Sequence, residues 1–90
     1  MNNERRKTLG KIRDELADIV LAVENLRERI EAVKDEEQEA FDAMPEGLQT
    51  SEKGEKSQAA IDALDAAYDE LDQVASPIEA ANDQIDTACE

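Results

Sequence analysis

The sequence contains no histidine and no tryptophan, and it has one cysteine, two prolines and two aromatic residues. Without histidine, neither a His-containing metal site nor a Ser–His or Cys–His catalytic pair can form. The single cysteine, Cys89, cannot form an internal disulfide. The three glycines lack the spacing of a phosphate-binding loop. We therefore expect a protein that is not an enzyme and that uses neither a cofactor nor a metal.

Strongly apolar residues are also scarce. Leu, Ile, Val and Phe make up 18 of the 90 residues, near the limit below which chains stay unfolded, while alanine contributes another 14. So few β-branched and aromatic residues argue against a β-sheet. No apolar run approaches the roughly 18 residues that span a bilayer, and no signal peptide is evident. We expect one all-α domain over residues 1–90, located in the cytoplasm.

Acidic residues outnumber basic ones by 24 to 10, which gives a formal net charge of −14. Residues 1–13 carry half of the basic side chains, and residues 57–90 carry none. Phosphates would be repelled by most of such a chain, because nucleic-acid binding depends on basic side chains. We therefore expect a protein partner, with no direct binding to nucleic acid and no membrane interaction.

The glycines and prolines mark one connection between two helices. Gly47, Gly54 and Pro45 fall within residues 45–54. On both sides, apolar residues recur at alternating intervals of three and four, as in coiled coils. This spacing predicts helix one over about 4–43, a loop over about 44–50 and helix two over about 51–89. Equal helices joined by a short loop favour an antiparallel hairpin.

Pro77 interrupts helix two. Ser76 before it and Glu79 after it form a helix start signal, with serine as the cap. The apolar spacing nevertheless continues across Pro77. It predicts a kink or break at 76–77 that keeps the helix direction, the alternative being a third helix that folds elsewhere.

One register pairs the apolar positions, a and d of each heptad, along the hairpin. The predicted pairs are Leu9–Ile85, Ile12–Asn82, Leu16–Ile78, Ile19–Ala75, Val23–Leu71, Leu26–Tyr68, Ile30–Leu64 and Val33–Ile61. Asn82 would fix the register from inside this seam. At position e, basic residues of helix one face acidic residues of helix two. Near the loop, Glu37–Ser57 and Ala40–Gly54 predict a weak seam.

Apolar residues outside the seam indicate self-association. Val20 and Leu21 lie in an apolar run of helix one, and Val74 lies among alanines of helix two. Small side chains let another helix approach closely, so these residues predict a homodimer that forms a four-helix bundle. Alternatively, the alanines only favour helix formation on an exposed face.

Helix two also carries a line of acidic side chains at intervals of three and four, which we call the acidic stripe. Its members are Asp62, Asp65, Asp69, Asp72, Glu79, Asp83 and Asp86. Three interpretations remain open for it: mimicry of a nucleic-acid strand, another protein-binding surface, or a solvated and salt-bridged face without a binding role.

The loop contains three apolar residues of its own, Phe41, Met44 and Leu48. Their packing would close the end of the hairpin. The alternative is a loop tip that docks on a partner.

Residues 35–56 resemble a family of small acidic α-helical proteins of bacteriophages and prophages. The shared features are the Glu36-Glu37-Gln38 stretch, the aromatic Phe41, and the Pro45-Glu46-Gly47-Leu48-Gln49 turn before an Ala/Asp-rich helix. The family has no established activity, so no residue receives a role from it. The resemblance implies a phage origin and hence the host cytoplasm, where small acidic phage proteins often block host proteins.

These observations lead to one functional hypothesis and one alternative. The hypothesis is a non-catalytic, phage-encoded inhibitor that binds a host nucleic-acid-processing or defence protein through its acidic helical surface. The alternative is a structural or assembly protein that only oligomerises.

Overall fold

The computed structural model describes residues 1–90 and contains helices and turns only. Its helices are α1 (Asn3–Asp42), α2 (Glu46–Gln49), α3 (Glu52–Asp72) and α4 (Ala75–Ala88). The first arm, α1, packs against the second arm, formed by α3 and α4. The molecule measures 69 × 15 × 13 Å. The predicted all-α hairpin is confirmed.

Local sequence signals explain where α1 begins and ends. The side chain of Asn2 caps its start and accepts a hydrogen bond of 2.8 Å from the backbone N–H of Arg5. Glu4 adds a negative charge in the first turn, where the helix dipole favours it. The helix ends just before Met44, because the residue that precedes Pro45 is disfavoured in the helical conformation.

The connection is a folded turn rather than an open loop. Within the predicted loop, Glu46–Gln49 form the single-turn helix α2, directly after Pro45. The Gln49 side chain donates a hydrogen bond of 3.1 Å to the carbonyl oxygen of Phe41, at the end of α1. The Ser51 hydroxyl donates to the Leu48 carbonyl. The first bond fastens the turn to the first arm, and the second holds the turn together.

The second arm breaks at Gln73 and Val74, before the predicted position. The backbone N–H groups of these residues bond to carbonyls three residues back, in place of the α-helical four. Pro77 explains this position, because its ring clashes with the carbonyl four residues earlier, that of Gln73. The predicted cap is wrong, since α4 begins at Ala75 and Ser76 lies inside its first turn. Because α4 continues along α1, the predicted direction is confirmed.

The best-buried part of the molecule is the loop end, where the sequence predicted a weak seam. Only three residues are buried, and they are Gly54, Ser57 and Ile61. A Cβ atom on Gly54 would lie 2.6 Å from the Cα of Gln49 and closer still to its carbonyl group. Of the two predicted pairs, Ser57 meets Glu37 across the seam, whereas Gly54 is covered by Gln49 of the turn and Ala40 is exposed.

In the middle of the hairpin, α1 is rotated relative to the predicted seam. Its a positions are half-buried, but its d positions are exposed, by 40% at Ile12, 48% at Ile19, 45% at Leu26 and 52% at Val33. We call these four residues the open stripe. In their place four e positions of α1 are half-buried, namely Val20, Arg27, Lys34 and Phe41, while Arg13 stays exposed. The prediction that both a and d are buried is therefore wrong for α1, while the a and d positions of the second arm from Ile61 to Cys89 are buried or half-buried.

Candidate protein-interaction surfaces

The acidic stripe lies on the second arm, and all seven of its residues are exposed. The structure divides the stripe into two sets. Three carboxylates form ion pairs with position e of α1, and we call these pairs the ladder. They are Lys34–Asp65 at 3.1 Å, Arg27–Asp72 at 2.9 Å, and Arg13–Asp86. The ladder explains the rotation of α1, because it holds the e side of α1 against the second arm.

Arg27 makes the most extensive contacts of the ladder. Its guanidinium carbon lies 4.2 Å from the centre of the Tyr68 ring, while one terminal nitrogen bonds to Asp72. Only 19% of its side chain is exposed. A guanidinium stacked on an aromatic face gains a cation–π attraction in addition to its ion pair. Arg27 therefore fixes both the rotation of α1 and the position of Tyr68.

The ladder also changes the protonation equilibria of its basic members. A hydrogen bond and the charge of Asp65 raise the pKa of Lys34 above its ordinary value. The same two causes, from Asp86, raise the pKa of Arg13. The ladder therefore stabilises the charged forms of Lys34 and Arg13.

The other carboxylates of the stripe form no ion pair, and we call them the free acidic set. The set comprises Asp62, Asp69, Glu79 and Asp83. Asp62 accepts a hydrogen bond of 3.0 Å from Gln58, one turn earlier on the same helix. Asp62 and Asp69 are two turns apart, about 10 Å along α3, and thus face the same side. This set is available to a partner.

At the free end of the hairpin, the basic N-terminal segment contacts the end of α4. Arg6 donates a hydrogen bond of 3.1 Å to the carbonyl oxygen of Cys89, where a helix end favours positive charge. Asn82 donates a bond of 3.4 Å to the Arg13 carbonyl, as a register-fixing residue would. The basic residues nearest to the second arm are therefore used within the molecule.

The residues predicted for self-association lie at two places. Val20 and Leu21 line a shallow groove between the arms, together with Ala17, Glu79 and Asn82. Val74 is half-buried at the break between α3 and α4 and does not line that groove. Leu21 is 64% exposed and points away from the open stripe, since residues two positions apart on a helix differ by about 200° in direction.

A second groove is more apolar, and the apolar spacing of the sequence does not predict it as a surface. Five of its six lining residues are hydrophobic, and they are Leu26, Ile30 and Val33 of α1 with Leu64 and Leu71 of α3. Arg29 is the sixth. One sequence signal could have revealed it: α1 is apolar at a, at d and also at Val20 and Phe41 of position e. An apolar face that extends over positions a, d and e is wider than one facing helix can cover.

The loop-tip residues differ in exposure. Phe41 and Met44 are half-buried, whereas Leu48 on α2 is 38% exposed. The turn thus presents one apolar side chain to solvent, beside a backbone held by the Gln49 and Ser51 hydrogen bonds.

No group of three or more metal-ligating side chains occurs in the structure. None of the four helices has both the length and the apolar character needed to cross a bilayer. The chain matches no family model, no curated protein and no solved structure.

Proposed function

We propose that this protein is a non-catalytic protein-binding factor that acts through the free acidic set on its second arm. One observation carries the proposal: the ladder uses only part of the acidic stripe, and Asp62, Asp69, Glu79 and Asp83 are exposed without any ion pair. These carboxylates are a cost to a structure of net charge −14 unless they serve solubility or recognition. We propose recognition.

The partner that fits such a surface is a protein with a basic groove, such as a nucleic-acid-processing or defence protein. From Ser57 to Glu90 the chain carries no Lys or Arg, so the electrostatic potential along the second arm is negative throughout. A helical arm of this kind can enter a groove whose lysines and arginines otherwise hold phosphates. Binding would then exclude DNA or RNA from the same groove, and the protein would act as an inhibitor.

The resemblance of residues 35–56 to acidic phage proteins supports the biological setting of this proposal. In that setting the protein is phage-encoded, acts in the cytoplasm of the host cell and blocks a host protein. The proposed surface does not depend on the setting, because it rests on the charges of α3 and α4.

A second function is favoured by a different observation. The open stripe leaves four large apolar side chains exposed on one side of α1. We propose that two hairpins associate into a homodimeric four-helix bundle that covers them. If the free acidic set had no partner, this association would itself be the function, as in a structural or assembly protein.

Charge reversal on the second arm tests the inhibitor proposal. The variant Asp62→Lys, Asp69→Lys, Asp83→Lys is compared with Asp14→Lys, Glu28→Lys, Asp35→Lys, which makes the same change in net charge on the outer side of α1. Both triples replace exposed residues outside the ladder, so helicity by circular dichroism should not change.

The readout is the capture of proteins from a bacterial lysate, followed by elution with duplex DNA or with salt of equal ionic strength. We expect the wild type and the α1 triple to capture a nucleic-acid-binding protein that DNA releases and salt does not. We expect the second-arm triple to lose it. Equal capture by both triples, or equal loss, would show that this surface is not the binding site.

A further inference from the structure

The hairpin exposes more surface than a compact protein of its mass. Its accessible surface is 6534 Å² for 10.0 kDa, whereas a folded monomer of that mass exposes about 5,200 Å². The excess, about 1,300 Å², exceeds the roughly 800 Å² that each partner contributes to a stable interface. The excess surface is therefore large enough to form a stable interface with a second copy.

The open stripe shares one side of the hairpin with a row of small residues. In an antiparallel pair the e positions meet on one side and the g positions on the other. Rotation of α1 toward its e side turns the open stripe toward the g side. Position g of the second arm holds what we call the alanine row, namely Ala60, Ala67, Val74 and Ala81. The apolar groove between Leu26 and Leu71 lies on this side.

This side is nearly free of charge in a chain with 34 charged residues. Between Ile12 and Val33, the positions that flank the open stripe hold two charged residues, Glu15 and Arg29. Between Ala60 and Ala88, the positions that flank the alanine row hold one, Glu70. Two copies of net charge −14 would repel each other at most orientations, but not across this side.

The two rows match in their spacing along the hairpin. Both repeat every seven residues. In the predicted register each residue of the open stripe is level with one residue of the second arm. The level pairs are Ile12–Asn82, Ile19–Ala75, Leu26–Tyr68 and Val33–Ile61. In each pair, the residue before the second-arm member belongs to the alanine row, only about 1.5 Å away along the axis. The observed hydrogen bond between Glu37 and Ser57, another predicted pair, supports this register.

We propose that two copies pack through this side as parallel hairpins, with a twofold axis along their length. This arrangement rests on the proposed dimer and specifies its interface. The twofold axis keeps every residue at its own level, so the side chains of the open stripe pack over the alanine row of the other copy, which offers alanine to Ile12, Leu26 and Val33 and Val74 to Ile19. Large side chains over small ones fill the space between helices, as ridges fill grooves.

Arg29 and Glu70 are complementary across the same interface. Arg29 is two residues nearer to the loop than Arg27, and Glu70 is two residues nearer to the loop than Asp72, with which Arg27 forms an ion pair. They therefore have the same offset along the axis as an ion pair that the structure contains. Within one copy Arg29 and Glu70 do not pair. In the twofold dimer, Arg29 of each copy reaches Glu70 of the other.

The mass in solution tests the interface, measured by light scattering at tens of micromolar. We expect twice 10.0 kDa for the wild type. We expect Leu26→Glu to be monomeric and the matched control Leu21→Glu to stay dimeric, with unchanged helicity in both. A monomeric wild type would overturn the dimer itself. If Leu21→Glu dissociates the dimer and Leu26→Glu does not, the dimer is correct but this interface is overturned.

A charge exchange tests the twofold arrangement even if Leu26→Glu fails to fold. Arg29→Glu and Glu70→Arg should each weaken dimerisation about fivefold, because each places like charges together. The double variant should return to within about twofold of the wild type, because it restores the pair in reverse. If the double variant dimerises more weakly than either single variant, the two residues do not pair, and the parallel arrangement is overturned. The inhibitor proposal has its own variants on the second arm and is judged separately.

Discussion

At the loop end of the hairpin, Gly54, Ser57 and Ile61 are buried, because the turn lies directly against Gly54 and the Ser57–Glu37 hydrogen bond joins the two arms. In the middle of the hairpin, larger side chains lie at the edge of the contact, and Leu26 and Ile19 are nearly half exposed. Side-chain size does not explain the contrast, because Ile61 at the loop end is 6% exposed and Ile19 in the middle is 48% exposed. The difference shows that where an apolar residue lies relative to the turn and to the rotation of α1 decides how much of it is buried.

The loop end and the middle of the hairpin also have different tasks. The loop end fixes the connection and the register, through Gly54 and the Ser57–Glu37 bond. The middle fixes the rotation of α1 through the ladder and leaves the open stripe accessible. Substitutions at the loop end should therefore destabilise the hairpin at every protein concentration, whereas those in the open stripe should act mainly through association.

The largest effect is expected from Gly54→Ala. The added Cβ would collide with the backbone of Gln49, which cannot move without breaking the bond from Gln49 to Phe41. We expect a loss of about 3 kcal/mol in the free energy of unfolding, measured by urea denaturation. The control is Gly10→Ala, where nothing lies within 4 Å and better helix propensity should add about 0.5–1 kcal/mol. Similar effects at both glycines would show that the loop end is not closely packed.

A smaller effect is expected from Ser57→Ala. The Ser57 hydroxyl donates a bond of 2.6 Å to the Glu37 carboxylate, which is half-buried. Its removal should cost about 1–2 kcal/mol in the free energy of unfolding, because the carboxylate loses a partner in a partly dry site. Ser76→Ala serves as the control and should change stability by less than about 0.5 kcal/mol, because exposed Ser76 does not cap α4. A larger loss at Ser76 than at Ser57 would restore the predicted serine cap and contradict the structure.

The smallest effect concerns the ladder and its dependence on pH. The pKa of Lys34 is raised in the folded state, so its contribution is complete below its unfolded pKa of 10.5 and is lost as pH rises through the folded value. We expect the stability difference between wild type and Lys34→Gln to stay constant from pH 7 to 9 and to shrink above 10.5. Thermal melts of both proteins across this range measure it. A difference that does not change with pH would mean that the charge of Lys34 is not involved.

The sequence predicts much of this fold because its signals are local or periodic. Pro45 and the neighbouring glycines mark the turn, and the apolar spacing identifies both helices and their antiparallel register. The opposite charges at position e also predict the ladder correctly, as Arg27–Asp72 shows.

The features that the sequence did not predict depend on three-dimensional contacts. The rotation of α1 results from Arg27 stacking on Tyr68, which no spacing rule contains. Gly54 looks like a loop residue in the sequence, yet it lies in α3 and is needed for the close approach of Gln49 in α2. The break precedes Pro77 because the ring acts on the carbonyl of Gln73, four residues earlier. Because the spacing alone does not contain the rotation of α1, it predicts the open stripe to be buried, whereas the structure exposes it.

The most direct test of this account uses Cys89, the only cysteine, as the site of a spin label near the free end of the second arm. The distance between the labels in two associated copies is measured by double electron–electron resonance. Parallel hairpins bring both labels to the same end, so we predict a distance below about 25 Å, close to the width of a four-helix bundle with its labels. A distance of about 60 Å would place the labels at opposite ends and contradict the parallel arrangement, because each arm has about that length.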